Sequence, residues 1–178
     1  MEISRIRALR GPNLWSRHTA VQAIVFCAPN EREITADFEA QLRAQFPHIG
    51  HLQGIGQHIS LSLAHILAQS CLALQTYAQC PVSFCRTVPT VDEGIYQIVV
   101  EYTEEAVGRL ALNLAKELID AVLEGIEFDL ARAQAALQSL DEDERLGPST
   151  GSIVQAAVAR GIPYHRLTSG SLVQLGWG

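Results

Sequence analysis

The chain has 178 residues and a mass of 19.4 kDa, which is one ordinary domain or one domain plus a fragment. Apolar residues make up 48%, enough at this length to bury a substantial core, so wholesale disorder is excluded. A net charge of −6 argues against a nucleic-acid-binding domain with a basic face, and no apolar run approaches the ~20 residues of a membrane span.

In chain order, Ile3–Leu9 reads as a first strand with impure alternation, closed by GPN at 11–13. Ala20–Cys27 is a short apolar run rich in β-formers, closed by Pro29-Asn30. Thr35 can cap a helix to about Phe46, with Phe38, Leu42 and Phe46 on one face, and Pro47 stops it. A Gly- and His-containing loop leads into a helix from about Ile59 to Tyr77, striped by Leu63, Ile66, Leu67, Cys71 and Leu74. Val82–Thr87 and Ile95–Tyr102 read as strands joined by the turn-rich VPTVDEG. Glu104–Glu124 is the clearest helix, with glutamates at its positive end and Gly125 as its stop. Phe128–Leu140 is a further helix. The acids of DEDER oppose a helix C-terminus, so that run is expected to be a solvated turn. Ser149 or Thr150 caps a short helix that exits at Gly161 and Pro163, and the tail holds two short β-like pieces. The order predicts an α+β fold, a mainly antiparallel sheet of about four strands packed against helices on one side.

Charge is unevenly spread. Twelve of the thirteen basic residues are arginine, Lys116 being the exception. Residues 1–18 hold Arg5, Arg7, Arg10 and Arg17 against Glu2, whereas residues 92–144 hold fourteen of the nineteen acids. Cys27, Cys71, Cys80 and Cys85 form no CxxC pair and read as reduced, small buried hydrophobes. GPSTGS at 147–152 lacks the GK[ST] of a P-loop and reads as a helix cap. His48, His51, His58 and His65 show no HxxxH spacing and read as surface histidines, with His65 alone partly buried and hydrogen-bonded.

LRGPNLWS (Leu9–Ser16), FCRTVPTVDEGIYQIVVEYTEEAVGRLALNLA (Phe84–Ala115) and RLGPSTGSIVQAAVARGIPYHRLTSGSLVQLGWG (Arg145–Gly178) together resemble the N-terminal part of cyanophycin synthetases. The likeness spans nearly the whole chain and is weakest over residues 28–57. It implies a domain over residues 1–160, with 161–178 a connector toward an ATP-grasp domain, so that the chain reads as cut from a longer parent. In that family the full enzyme uses ATP and Mg to join aspartate and arginine into multi-L-arginyl-poly-L-aspartate. An ATP-grasp domain and a Mur-ligase-like domain activate carboxylates there, and the N-terminal domain holds the polymer or primer near them.

The resemblance also implies a loss. Some members carry an H-x-x-E-H zincin-like motif on the corresponding helix, followed by a further glutamate. Here His65 stands at the first ligand position, Ala68 at the general base, Gln69 at the second ligand and Ala73 at the downstream glutamate. The expectation is no metal, no peptidase activity and a primer-dependent parent. The candidate polymer contacts are Arg5, Arg7, Arg10 and Arg86 for carboxylates, and Asp92, Glu93 and Glu101 for guanidiniums. The expected setting is cytoplasmic, in a homo-oligomeric parent, with no cofactor for this chain and neither nucleic acid nor membrane as partner. Two alternatives stand beside it: a docking or oligomerisation domain, and a residual zinc peptidase acting on the polymer.

Overall fold

The computed structural model describes residues 1–10, 12–50, 52, 61–168 and 170–176. Strands β1 (Glu2–Leu9), β2 (Ala20–Phe26), β3 (Cys85–Pro89) and β4 (Ile95–Glu101) form one sheet in the order β1-β2-β4-β3, every neighbour antiparallel. Helices α1 (Ala36–Gln45), α2 (Leu63–Tyr77), α3 (Glu105–Glu124), α4 (Leu130–Glu144) and α5 (Pro148–Ala159) follow the chain order expected of an α+β domain. A two-stranded hairpin of β5 (Tyr164–Arg166) and β6 (Val173–Leu175) closes it. No helix among the described residues is long and apolar enough to cross a membrane.

Strand alternation decides which face of the sheet takes the helices. Val21, Ala23 and Val25 of β2 stand opposite Val100, Ile98 and Tyr96 of β4, and these side chains join the core or pack against it. Gln22, Ile24 and Phe26 point the other way, and Phe26 is 46% exposed. The impure alternation of β1 has a cause. One extra residue lies between Ser4 and Arg7, and Arg5 takes the left-handed conformation with φ 50°. That bulge lets Ile3, Ile6 and Ala8 all pack on the core despite their uneven spacing.

Helix α2 packs on β3 and β4 and against α3, and α3 also reaches β2. Ten residues spread around α2 are buried, which accounts for its nearly continuous apolar sequence. Helix α1 begins where Thr35 Oγ1 accepts the Phe38 amide (3.1 Å), and Phe38, Leu42 and Phe46 are buried as a unit. Gly125 ends α3 in the left-handed conformation, φ 69°.

Several boundaries differ from the sequence reading: β3 runs on to Pro89, α4 starts at Leu130, and β2 and β4 end one residue early, while four further differences have a local reason. Helix α2 starts at Leu63 with Ser62 as its N-cap; Leu61 and Ser62 are not helical, and positions 59–60 lie outside the described residues. Strand β3 starts at Cys85, because the amides of Ser83 and Phe84 donate to the Glu101 carboxylate instead of to a neighbouring strand. The DEDER acids are not a solvated turn: α4 runs on through Glu144. Asp141 is buried there, accepting from Thr103 Oγ1 (3.2 Å) and ion-paired with Arg145 one turn on, so the helix gains partners that outweigh the unfavourable dipole end. Helix α5 is capped by Gly147 with Pro148 in its first turn, not by Ser149 or Thr150.

Candidate functional site

The position where a zincin-like pair would sit is closed around His65. Its Nδ1 lies 2.9 Å from Ser62 Oγ and accepts the Ser62 amide at 3.3 Å, while the ring meets Tyr96 edge-on, centroids 5.8 Å apart. His65 is 6% exposed, and burial lowers its pKa, favouring the neutral ring. Ala68, one turn on, is 1% exposed. Gln69 lies beside it on α2, and Ala73 is half-buried farther along. Among the described residues no three His, Cys, Asp or Glu side chains gather as a metal would require. His48 is exposed and stacks on Tyr77, centroids 4.7 Å apart, and His51 and His58 lie outside the described residues.

The seven charged candidates do not form one patch. Arg86 lies at the start of β3, its guanidinium carbon 5.7 Å from the Trp15 ring centroid, a cation–π distance. Asp92 and Glu93 occupy the turn at the opposite end of β3, where Glu93 pairs with Arg32. Arg5 and Arg7 lie on the edge strand β1. Glu101 is 7% exposed and committed to backbone: Oε2 accepts from Ser83 N (2.8 Å) and Phe84 N (2.9 Å), with His18 Nδ1 3.6 Å from Oε1. The four cysteines are all free thiols. Burial pushes up those of Cys27, Cys71 and Cys80, and raises Cys85 to about 11, so none is poised as a nucleophile.

Of the seven candidates, Arg10 lines a cleft of ≈ 510 Å³ between the N-terminus of α3 and the β5–β6 hairpin. Arg10 Nε donates to Glu105 Oε2 at 3.0 Å, and Arg109 Nε donates to Glu105 Oε1 at 2.9 Å. Burial alone would raise the Glu105 carboxyl, but these two guanidiniums outweigh it and hold the group below its ordinary range. Across the cleft Arg166 Nη1 donates to Glu104 Oε2 (3.2 Å) and to the Glu144 carbonyl. Tyr102 and Tyr164 line the same space. Burial and the neighbouring Glu105 push the Tyr102 hydroxyl up to about 12. Arg10 is 61% exposed at its side chain, and exposed pairs of this kind contribute at most about 1 kcal/mol, so they exchange readily for a ligand.

Sequence reasoning missed Glu104, Arg109 and Arg166 as cleft residues. The glutamate pair at 104–105 had a sufficient role at the helix dipole, and Arg166 arrives from the hairpin, 62 residues along the chain from Glu104.

The family model for the cyanophycin synthase-like N-terminal domain matches residues 33–124, from just ahead of α1 to the end of α3. Over 195 aligned positions the chain is 34% identical to cyanophycin synthetases of Trichormus variabilis and of Nostoc sp., and 30% identical to that of Crocosphaera subtropica. Each alignment takes in all of this chain and 22% of the relative, so the chain spans 22% of the length of the curated relatives it matches. The α+β frame, the matched segment and these identities agree, and the chain belongs to the cyanophycin synthase-like N-terminal domain family.

Proposed function

We propose that this chain is a non-catalytic anchoring module, holding multi-L-arginyl-poly-L-aspartate or its primer for a ligase that joins aspartate and arginine with ATP and Mg. The observation that carries this reading is the cleft lined by Arg10, Arg109 and Arg166 together with Glu104, Glu105 and Glu144. A polymer with arginines on an aspartate backbone presents both charge signs, and such a cleft can exchange internal ion pairs for pairs with the ligand. Single exposed contacts are weak, so useful affinity comes from several units held along one chain.

Loss of peptidase chemistry accompanies this reading. A zincin needs two imidazoles one helical turn apart and a carboxylate to deprotonate the metal-bound water. Ala68 offers no base, Gln69 is not the imidazole required, and His65 Nδ1 is already engaged by Ser62. The parent would therefore depend on supplied primers.

Titration of the chain with a soluble (β-Asp-Arg)n peptide, at low and high salt and with a parallel zinc arm read by mass spectrometry, tests both statements. Binding that weakens with salt and leaves the peptide intact is the expected result. Cleavage would overturn the loss of peptidase chemistry, and absence of binding would overturn the anchor.

A second reading, docking against a neighbouring ligase domain, is favoured by one observation. Ile153, Val158, Ile162, Leu167, Leu172 and Leu175 are all exposed and fall within the C-terminal helix and hairpin. Anchoring and docking are compatible, and binding to polymer distinguishes the first.

A further inference from the structure

The cleft is electrically polarised. At one end two guanidiniums, Arg10 and Arg109, share the single carboxylate of Glu105, one oxygen each, which among the described residues leaves one positive charge in excess. At the other end a single guanidinium, Arg166, bonds the Glu104 carboxylate and the backbone carbonyl of Glu144. The Glu144 side chain then stands as a second carboxylate beside that pair. Burial raises the Glu104 carboxyl, and the charge of Glu144 adds to the effect. Asp141, farther along α4, is matched by its own partner Arg145. Among the described residues, one end thus has a surplus cation and the other a surplus anion. Glu104 and Glu105 are consecutive residues, about 3.8 Å apart at Cα, so the two ends lie within reach of one small zwitterion.

We propose that the cleft seats one arginyl branch, an Nα-acylated arginine with a free carboxylate, the carboxylate on Arg10 and Arg109 and the guanidinium on Glu104 and Glu144. This rests on the anchoring reading above and deepens it, because an arginine joined through its α-amine keeps both of those groups free. The polarity also selects against free arginine. Its α-ammonium would stand next to the carboxylate and bring a further positive charge to the end where Arg10 and Arg109 already exceed Glu105. The planar carboxylate and guanidinium suit two-point pairing at both ends. Tyr102 and Tyr164, on the cleft wall, offer aromatic surface for the aliphatic stem.

The test is an amide-resolved NMR titration of the 178-residue chain with Nα-acetyl-L-arginine. Parallel arms use Nα-acetyl-L-citrulline, Nα-acetyl-L-argininamide and free L-arginine. Saturable shifts confined to residues around Arg10, Tyr102–Arg109 and Tyr164–Arg166 are expected. Each of the three analogues should bind roughly tenfold more weakly or worse, since each loses or opposes one charged pairing. Arg109→Gln and Glu144→Gln should each weaken binding by about the same factor. Arg132→Gln, on α4 away from the cleft and paired with Glu117, should leave it unchanged, and amide spectra outside the cleft report that each variant is folded. If Arg109→Gln disturbs α3, the exposed Arg10→Gln serves in its place. Equal affinity for the citrulline analogue, shifts elsewhere, or indifference to both cleft variants would overturn the assignment. A (β-Asp-Arg)n peptide that still binds all variants equally would sink the cleft alone and leave the anchor standing. No peptide binding to the unaltered chain would remove both.

Discussion

Glu101 and Phe84 are joined in both directions: the Glu101 amide donates to the Phe84 carbonyl at 2.9 Å, and the Phe84 amide donates back to Glu101 Oε2 at 2.9 Å. The same oxygen accepts the Ser83 amide at 2.8 Å, so one carboxylate takes the place of a strand acceptor for the two amides of residues 83–84. Glu101→Ala leaves two amides without this acceptor and should lower stability by about 2–4 kcal/mol. Glu101→Gln keeps one oxygen and should lower it by about 1 kcal/mol. Denaturant unfolding followed by circular dichroism measures both, and a Glu101→Ala variant as stable as the parent would refute the role.

Arg5 occupies a left-handed conformation, φ 50°, at the β1 bulge. Glycine adopts that geometry without Cβ strain, so Arg5→Gly should be neutral or stabilising by up to about 1 kcal/mol. A β-branched residue is strained there, and Arg5→Val should destabilise by about 1–2 kcal/mol. Paired unfolding curves read the difference, and the reverse ranking would mean that the bulge relaxes on substitution.

Gly108 lies inside α3 where the helix crosses Tyr102, and a Cβ there would stand 2.7 Å from Tyr102 Cβ and 3.0 Å from its Cγ. Alanine normally gains about 1 kcal/mol over glycine in a helix. Here overpacking should dominate, so Gly108→Ala is expected to destabilise by about 1–3 kcal/mol. Because Tyr102 lines the cleft, the same variant should shift the Tyr102 and Glu105 resonances. Increased stability would show that Tyr102 yields at no expense.

Burial holds the His65 pKa below its unfolded value of 6.5. The folded state therefore binds fewer protons than the unfolded chain as acidity rises. His65 contributes its full share above pH 6.5, and that share is lost as pH falls from there through the lower folded value. Stability should decline from neutral pH toward pH 5 more steeply in the unaltered chain than in His65→Gln. Unfolding free energies at several pH values test this, and parallel curves would mean the ring is not sequestered in solution.

The elements governed by neighbours in sequence were legible. The Phe38–Leu42–Phe46 stripe, the Thr35 cap and the Gly125 stop all follow from spacing and local backbone preference, and the structure carries each of them. The antiparallel α+β frame was legible on the same grounds. What escaped was decided by distant partners. Asp141 keeps α4 helical through acids that oppose its dipole because Thr103, in the bend between β4 and α3, reaches it from elsewhere in the chain. Glu101 is half of the reason β3 starts late. Arg86, Asp92 and Glu93 all stand among the candidate contacts, yet the extended strand between them sets Arg86 and the two acids at opposite ends of β3. The cleft needed Arg10, the start of α3 and the hairpin together, and no window of sequence contains all three.

The central pairing of the sheet joins β2 to β4, with Ala20 against Glu101 and Phe26 against Ile95. During synthesis β2 emerges with only β1 to bond, and its other edge, AVQAIVF, stays open until β4 has left the ribosome. That edge is apolar and rich in β-formers, the kind of strand that recruits foreign chains. On its far side β1 is guarded by the bulge and by Arg5 and Arg7, which discourage further pairing. Nascent chains halted between residues 26 and 95 should therefore be the species most in need of a chaperone, and α2 must wait with them, since the sheet it covers is not yet built.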